Sequence, residues 1–414
     1  MIRRDSHTVS MRAARSSRKS VVVLSGLTAV ALAALSACGG SSDDDTAKGV
    51  STVNVTMASG SNGDECTYDA TTAKAGPITF NVKNESATGV SEFEVLQDQK
   101  IVGERENLAP GLGGSTFTVT LGGGTYQMYC PGASNESTDL TVTGAQASQS
   151  ASSTQQLLQQ GASDYAKYAS DQITNMITAV QVLKNAVDSG DVKAAQDAYA
   201  AARPFYERVE SDVEGFVLDG YKPTDNHGNL DYLIDMRASN LDPAVGWHGF
   251  HAIERDIFAK KKITGSTKKL AGELLINVVK LSQLSQSLTY KPEDLANGAA
   301  GLLEEVQSGK ISGEEEKYSH IDLVDFAANV EGAEQSFAYL KPGLEKIDPD
   351  LTDTISQRFD AVTSMLDGYR DAKELGGYER YTPELKASDA NKLSQTVQAL
   401  QDSLSTIAAK VATA

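Results

Sequence analysis

Cysteine and histidine are scarce in this chain of 414 residues, with three of the first and five of the second. Three cysteines and no Cys-x-x-Cys pair exclude a disulfide-dense scaffold, a zinc ribbon and a thioredoxin-type site. Basic residues are also short, 37 Lys and Arg against 55 Asp and Glu, for a formal charge of −18. The chain therefore lacks the basic face that a nucleic-acid binder turns toward phosphates, and its acidity suits a cationic partner instead. No apolar run reaches the roughly 20 residues of a comfortable transmembrane helix. At 40% hydrophobic residues, the composition is too apolar for general disorder and too polar for a polytopic membrane protein. The length allows two or three domains, each able to bury a core. No repeat of 20–50 residues is visible.

What is present begins with an address. Arg3, Arg4, Arg12, Arg15, Arg18 and Lys19 form a basic region, followed by the uncharged apolar run from Val21 to Ala34. The run ends in Leu35-Ser36-Ala37-Cys38, small residues before a cysteine in the manner of a bacterial lipobox. This predicts a lipoprotein signal peptide over 1–37 and lipidation of Cys38, which becomes the mature N-terminus and holds the protein to the outer face of a membrane. Cleavage would remove six basic residues and one acidic residue, leaving 377 residues with a formal charge of −23. Cys66 and Cys130 would then be the remaining thiols, in a compartment where thiols oxidise.

Beyond Cys38 the chain divides by pattern. Residues 38–50 are small, polar and acidic, a tether. From 51 to 143, runs such as Thr52-Val53-Asn54-Val55-Thr56-Met57 and Ile78-Thr79-Phe80-Asn81-Val82 alternate apolar and polar residues between turn signals. About seven short strands are expected, forming a β-sandwich. Residues 144–154 are a Gln/Ser/Ala linker. From 155 to 412 the period changes to 3.6, with helices expected over 155–188, 191–217, 243–260, 267–289, 292–308, 313–342, 349–375 and 387–412. Asp191, Asp242-Pro243 and Ser312-Gly313-Glu314-Glu315 read as helix starts. A helical bundle or a pair of bundles follows from this many helices.

After the leader, every histidine lies in the helical half, and the densest cluster is Gly246-Trp247-His248-Gly249-Phe250-His251-Ala252-Ile253-Glu254. His251 and Glu254, three apart, are neighbours on one helical face, and an imidazole with a carboxylate at that spacing can bind a metal ion. The same spacing also serves an ordinary His–Glu hydrogen bond. Glu207 with Glu210, and Asp322 with Asp325, place further carboxylates at i,i+3 on helices that otherwise carry Ala and aromatics. Glu331 falls on another face of the Asp325 helix. Burying such groups costs several kcal/mol unless they are paired or metal-bound. The alternative is a solvated acidic stripe.

Gly298 to Gly332, with Lys310-Ile311-Ser312-Gly313-Glu314-Glu315, Tyr318-Ser319-His320 and Asn329-Val330-Glu331, resembles the imelysin-type (M75) domain of the EfeO iron-uptake family. So do Tyr206-Glu207-Arg208 and Gly249-Phe250-His251-Ala252-Ile253-Glu254. Cys66, Gly103 to Gly111 and Gly122 to Cys130 resemble the cupredoxin-like domain that precedes M75 in long EfeO proteins. The resemblance implies a multidomain β plus all-α chain, a cupredoxin-like β-sandwich followed by an imelysin-type helical domain of two four-helix bundles. It implies an extracytoplasmic protein that works with an EfeU-type iron permease and an EfeB-type haem peroxidase. The family's His-x-x-Glu metal motif falls on His251 and Glu254, with Glu207 the first further ligand expected, then Asp325, Asp322 and Glu331. Such nitrogen and oxygen donors suit Fe(II) or Fe(III), and also Zn(II), Mn(II) or Cu(II).

Residues 51–143 contain no histidine, so a type 1 copper centre, which needs two, is not expected there. Two readings of Cys66 and Cys130 stand: a disulfide pinning the sandwich, or thiolates forming a second metal site with Glu92, Glu94 or Glu106. The M75 name invites a metallopeptidase, yet the chain has no His-Glu-x-x-His motif and no nucleophile constellation. A lipoprotein that binds acidic polysaccharide through a cation is the third class. The reading favoured is an iron-binding component and not an enzyme.

Overall fold

The computed structural model describes residues 51–414, apart from 98–99, 107, 112, 146–151, 214, 223 and 287. The expected leader, Cys38 and the tether lie outside the described residues, as does much of the expected linker.

Nine strands rather than about seven are found among the described residues. They are β1 (Ser51–Gly60), β2 (Gly63–Tyr68), β3 (Thr72–Lys74), β4 (Gly76–Asn84), β5 (Phe93–Gln97), β6 (Lys100–Arg105), β7 (Ser115–Leu121), β8 (Gly124–Tyr129) and β9 (Ser137–Thr143). One sheet runs β2-β1-β4-β7 and the other β3-β9-β8-β5-β6. The β1–β4 and β3–β9 pairs are parallel and the rest antiparallel. The period-2 pattern does what it predicts: Val53, Val55 and Met57 of β1 point inward with Ile78, Phe80 and Val82 of β4. Phe80, Phe93 and Phe117 meet at the centre, with the first and last stacked at 5.1 Å. Strands β2 and β3 are edge strands whose residues are largely exposed or half-buried.

Cys66 on β2 and Cys130 after β8 are joined in a disulfide that ties the two sheets. Neither sulfur is a thiolate, so the second-site reading that needs both as ligands is corrected.

The helical part opens with α1 (Ser153–Ser189), capped by the Ser152 hydroxyl accepting from the Gln155 N–H and stopped by Gly190 at φ 81°. It buries Leu158, Ala162, Tyr165, Ala169, Ile173, Met176, Val180, Leu183 and Val187, a stripe of 3.6-residue period. Then follow α2 (Val192–Glu207), α3 (Glu210–Val213), α4 (Leu230–Asp235), α5 (Gly249–Glu254), α6 (Gly265–Ser285), α7 (Pro292–Glu305), α8 (Asp322–Ile347), α9 (Pro349–Asp367), α10 (Pro383–Leu404) and α11 (Ile407–Ala412). Asp191 caps α2 as its sequence suggests, accepting from the Ala194 N–H at 3.0 Å. Helix α1 packs on α2, α6 and α8, while α7, α8, α9 and α10 close a second ring. The two bundles thus share α8. The sandwich lies against this part, with Asn297 of α7 donating to the Thr118 carbonyl at 2.7 Å and Lys291 to that of Thr120 at 2.6 Å.

Two expected helix starts are displaced. Pro243 begins a turn, and α5 starts at Gly249. Ser312 forms a turn in which its hydroxyl donates to the Gly309 carbonyl and accepts from the Glu314 N–H, and α8 starts only at Asp322. A run of turns therefore occupies most of 311–319. Both displaced segments border the site described next.

Candidate metal centre

The site is assembled from five pieces of chain in the helical part. Helix α2 supplies Tyr199, Arg203 and Glu207, spaced i, i+4, i+8 and so aligned along one face. Helix α4 ends in Asp235, and α5 carries His251 and Glu254. The turns after α7 supply Glu315 and Glu316, and the first turn of α8 supplies Asp322 and Asp325. Helices α5 and α7 each run on into a five-residue π-helical segment, Arg255–Ala259 and Val306–Lys310. Extra residues of this kind rotate the side chains that follow and recur at functional sites. At the start of α5, Gly249 takes φ 69°, and a Cβ there would lie 2.0 Å from the Ile234 carbonyl oxygen. Glycine is what lets α5 press onto the end of α4, beside Asp235.

His251 is 1% exposed and reaches carboxylates through both ring nitrogens. Its Nδ1 lies 3.2 Å from Glu254 Oε2 and 3.4 Å from the Tyr199 hydroxyl. Its Nε2 lies 3.5 Å from Asp235 Oδ1 and 3.4 Å from Glu315 Oε1, aligned for a hydrogen bond to neither. Among the described residues, two groups bring three ligand atoms within 4.8 Å of one another: Asp235, His251 and Glu315, and His251, Glu254 and Glu316.

The oxygens of Glu254 and Glu316 have other occupations. Glu254 Oε1 accepts the N–H groups of Tyr318 and Ser319, each at 2.7 Å. Glu316 accepts from the Tyr199 hydroxyl at 2.8 Å and from the Ser319 hydroxyl. Glu315 turns Oε2 toward Arg237 at 3.1 Å and Lys310 at 3.5 Å, leaving Oε1 on the His251 side.

Charge is badly balanced here. Glu207, Glu210, Asp235, Glu254, Glu305, Glu315, Glu316, Asp322 and Asp325 are all buried. The permanent cations among them are Arg203, Lys310 and Arg237. Burial raises the pKa of Glu207 to about 7 against the pull of Arg203 and Lys310. Burial likewise raises Asp325 to about 6 and Asp322 to about 7, and pushes Glu210 and Glu316 well above the ordinary range. Asp235 and Glu315 go the other way. Burial would raise both, but Arg203 and His251 hold Asp235 low, and Lys310 and Arg237 hold Glu315 well below its ordinary value. Burial favours a neutral His251, yet the Asp235 charge and the surrounding carboxylates hold it protonated well above its ordinary pKa. Two carboxylates are thus held ionised, both beside Nε2 of a positive imidazole. Nine carboxyl groups against three fixed cations leave an excess that protons or a bound cation must meet.

The imelysin family model matches residues 161–407, and the cupredoxin-like domain model matches residues 27–142. The chain is 34% identical over 344 residues to the iron uptake system component EfeO of Escherichia coli O1:K1 / APEC, a match covering 82% of this chain and 87% of the relative. It is 36% identical over 345 residues to the component of the same name from Yersinia pestis, covering 83% and 88%. The chain belongs to the EfeO family. Its β-then-α order is that of the two family models, a cupredoxin-like region ahead of a helical imelysin region.

The residues expected from the EfeO resemblance separate in the structure. His251 and Glu254 are in contact. Glu207 is in the same buried cluster but bound to Arg203 and to Lys310, the latter at 3.1 Å. Asp325 gives Oδ2 to Arg203 at 3.1 Å, with Oδ1 unpartnered, and Asp322 accepts the Glu316 N–H at 3.2 Å. Glu331 is a correction: it sits on the surface, its side chain 48% exposed, paired with Arg208 at 2.8 Å. Glu92 and Glu106 belong to the sandwich. Burial raises both, and Glu106 additionally feels the charge of Glu305. Asp235, Glu315, Glu316, Tyr199, Arg203 and Lys310 went unrecognised as site residues. The i,i+4 spacing of Arg203 and Glu207 was the one available signal.

Proposed function

We propose that the chain is the extracytoplasmic iron-binding component of an EfeUOB-type uptake system, lipid-anchored through Cys38. It captures an iron ion in the helical domain and passes it to an EfeU-type permease, alongside an EfeB-type haem peroxidase. Two relatives at 34% and 36% identity, matched over 82% and 83% of this chain, are named iron uptake system component EfeO. No helix among the described residues is long and apolar enough to cross a membrane. The observation that carries the reading is the buried triad of His251 Nε2, Asp235 Oδ1 and Glu315 Oε1 within an acidic excess.

The ion binds at that triad, and Glu254 acts as its positioning residue. A ring nitrogen that donates to a carboxylate fixes the tautomer, presents the other nitrogen to the ion and makes it more basic. Glu254 is itself fixed by the two backbone N–H groups of Tyr318 and Ser319. Binding displaces the proton from His251 Nε2, so uptake is favoured by higher pH and release by lower pH. One nitrogen with carboxylate oxygens is a borderline-to-hard donor set that accepts Fe(II) or Fe(III), and Zn(II) or Cu(II) in their place. The protein works by binding and handing over, not by turnover.

Calorimetric titration of ferrous iron, without oxygen, and of ferric citrate into wild type, His251→Ala and Glu315→Gln tests this. The expected result is a high-affinity site in wild type that both substitutions abolish. Unchanged stoichiometry and affinity in both variants would refute it.

A further inference from the structure

The guanidinium of Arg203 holds the same two oxygens that face His251 Nε2. Arg203 is fully buried. Its Nη1 donates to Asp235 Oδ1, and its Nη2 lies 3.4 Å from Glu315 Oε1. These are the atoms that stand 3.5 and 3.4 Å from the imidazole. Arg203 keeps three other acidic partners at the same time: Glu207 and Asp325 Oδ2 on Nη2, the latter at 3.1 Å, and Glu316 Oε1 at 3.0 Å from Nε. The face of Phe250 lies 5.1 Å from the guanidinium carbon.

We propose that Arg203 is a tethered cation that occupies the iron site while it is empty and is displaced from Asp235 and Glu315 when the ion enters. The inference rests on the triad reading above. An ion and a guanidinium held on the same two oxygens compete, because like charges a few ångströms apart repel strongly in a buried site. Arginine does not lose its proton in a protein, so it cannot yield by becoming neutral. It yields by moving, and Glu207, Asp325 and Glu316 already receive it. When the ion leaves, the guanidinium returns and spares two buried carboxylates from standing bare. A carrier must release what it binds, and a competitor built into the chain weakens affinity without removing a ligand.

The test is Arg203→Gln, which removes the competitor and leaves all three ligands. Ferrous iron affinity and the rate of transfer to a chromophoric chelator are measured, without oxygen, for wild type, Arg203→Lys and Arg203→Gln. Binding at least tenfold tighter in Arg203→Gln, with correspondingly slower transfer and Arg203→Lys between, is expected. Equal or weaker binding in Arg203→Gln would overturn the proposal and leave Arg203 a structural counter-ion. Because Arg203→Gln can fail to fold, the wild-type protein carries a second arm. The 15N resonances of the Arg203 guanidinium are followed as diamagnetic Zn(II) is added, and a shift that saturates with the ion is expected. An unmoved resonance at saturation also overturns it. Failure of the wild type to bind either metal would sink the triad itself, whereas binding lost in His251→Ala beside an unmoved Arg203 sinks this inference alone.

Discussion

The two halves of the described chain solve opposite problems. The sandwich has an apolar core built on Phe80, Phe93 and Phe117, and a disulfide closes it. The helical part gathers nine buried carboxyl groups and a buried histidine around Arg203, Lys310 and the half-buried Arg237. Folding stability is best served by the first arrangement, since well-packed apolar residues commonly equal or exceed a buried ion pair. The second makes sense as a site that awaits a cation. One half is built to be stable, and the other tolerates strain at the place where it binds.

The largest effect expected from breaking this contrast lies in the sandwich. The Cys66–Cys130 bond closes a loop of 64 residues, for which chain entropy gives about 4 kcal/mol. Cys66→Ala with Cys130→Ala should lower the unfolding free energy of the sandwich, read from urea melts, by that order and leave iron affinity untouched. A loss of iron binding on reduction would show that the sulfurs take part in the site.

Next comes Glu254→Gln. As a positioning group, its loss should weaken iron binding by about 10- to 100-fold, as for outer-shell partners of ligating histidines. His251→Ala should abolish binding altogether. Equal losses in the two variants would return Glu254 to the ligand set.

A smaller effect separates burial from metal binding within the helical part. Asp212 accepts from the Tyr165 hydroxyl at 2.6 Å, and burial raises its pKa to about 7. Its proton is held more tightly when folded, so its contribution to stability is complete below its ordinary pKa of about 4 and disappears as pH rises through about 7. Asp212→Asn, which never ionises, should therefore be the more stable protein at pH 8 by on the order of 1–2 kcal/mol and nearly neutral at pH 4. Thermal melts at the two pH values read this directly, and a stabilisation confined to low pH would contradict the sign.

The smallest effect is expected at Glu331. Its exposed pair with Arg208 belongs to a class worth about 0–1 kcal/mol. Glu331→Ala should leave iron affinity within error of wild type, and a marked loss would bring that helix face back into the site.

Much of this architecture was legible in the chain. Period-2 and period-3.6 patterns tell the strand-forming part from the helical part because each keeps one period throughout. His251 and Glu254 are legible because a single helix sets their spacing. Asp235 and Glu315 were not. Asp235 ends a six-residue helix between two irregular stretches, too short to show a period. Glu315 sits in a segment whose Ser-x-x-Glu spelling imitates a capping box, while the chain instead makes π-helical and turn geometry there. Glu331 entered through the resemblance alone: its spacing sets it on another face of the Asp325 helix, and the helical period does not tell which face is buried.

The central claim places the ion between His251 Nε2, Asp235 and Glu315. Diffraction from iron-soaked crystals at the iron absorption edge tests it most directly. An anomalous peak within coordination distance of those three side chains, with Arg203 drawn back toward Glu207, is the predicted result. A peak on Glu254 and Glu316 instead, or none in the helical domain, would contradict it.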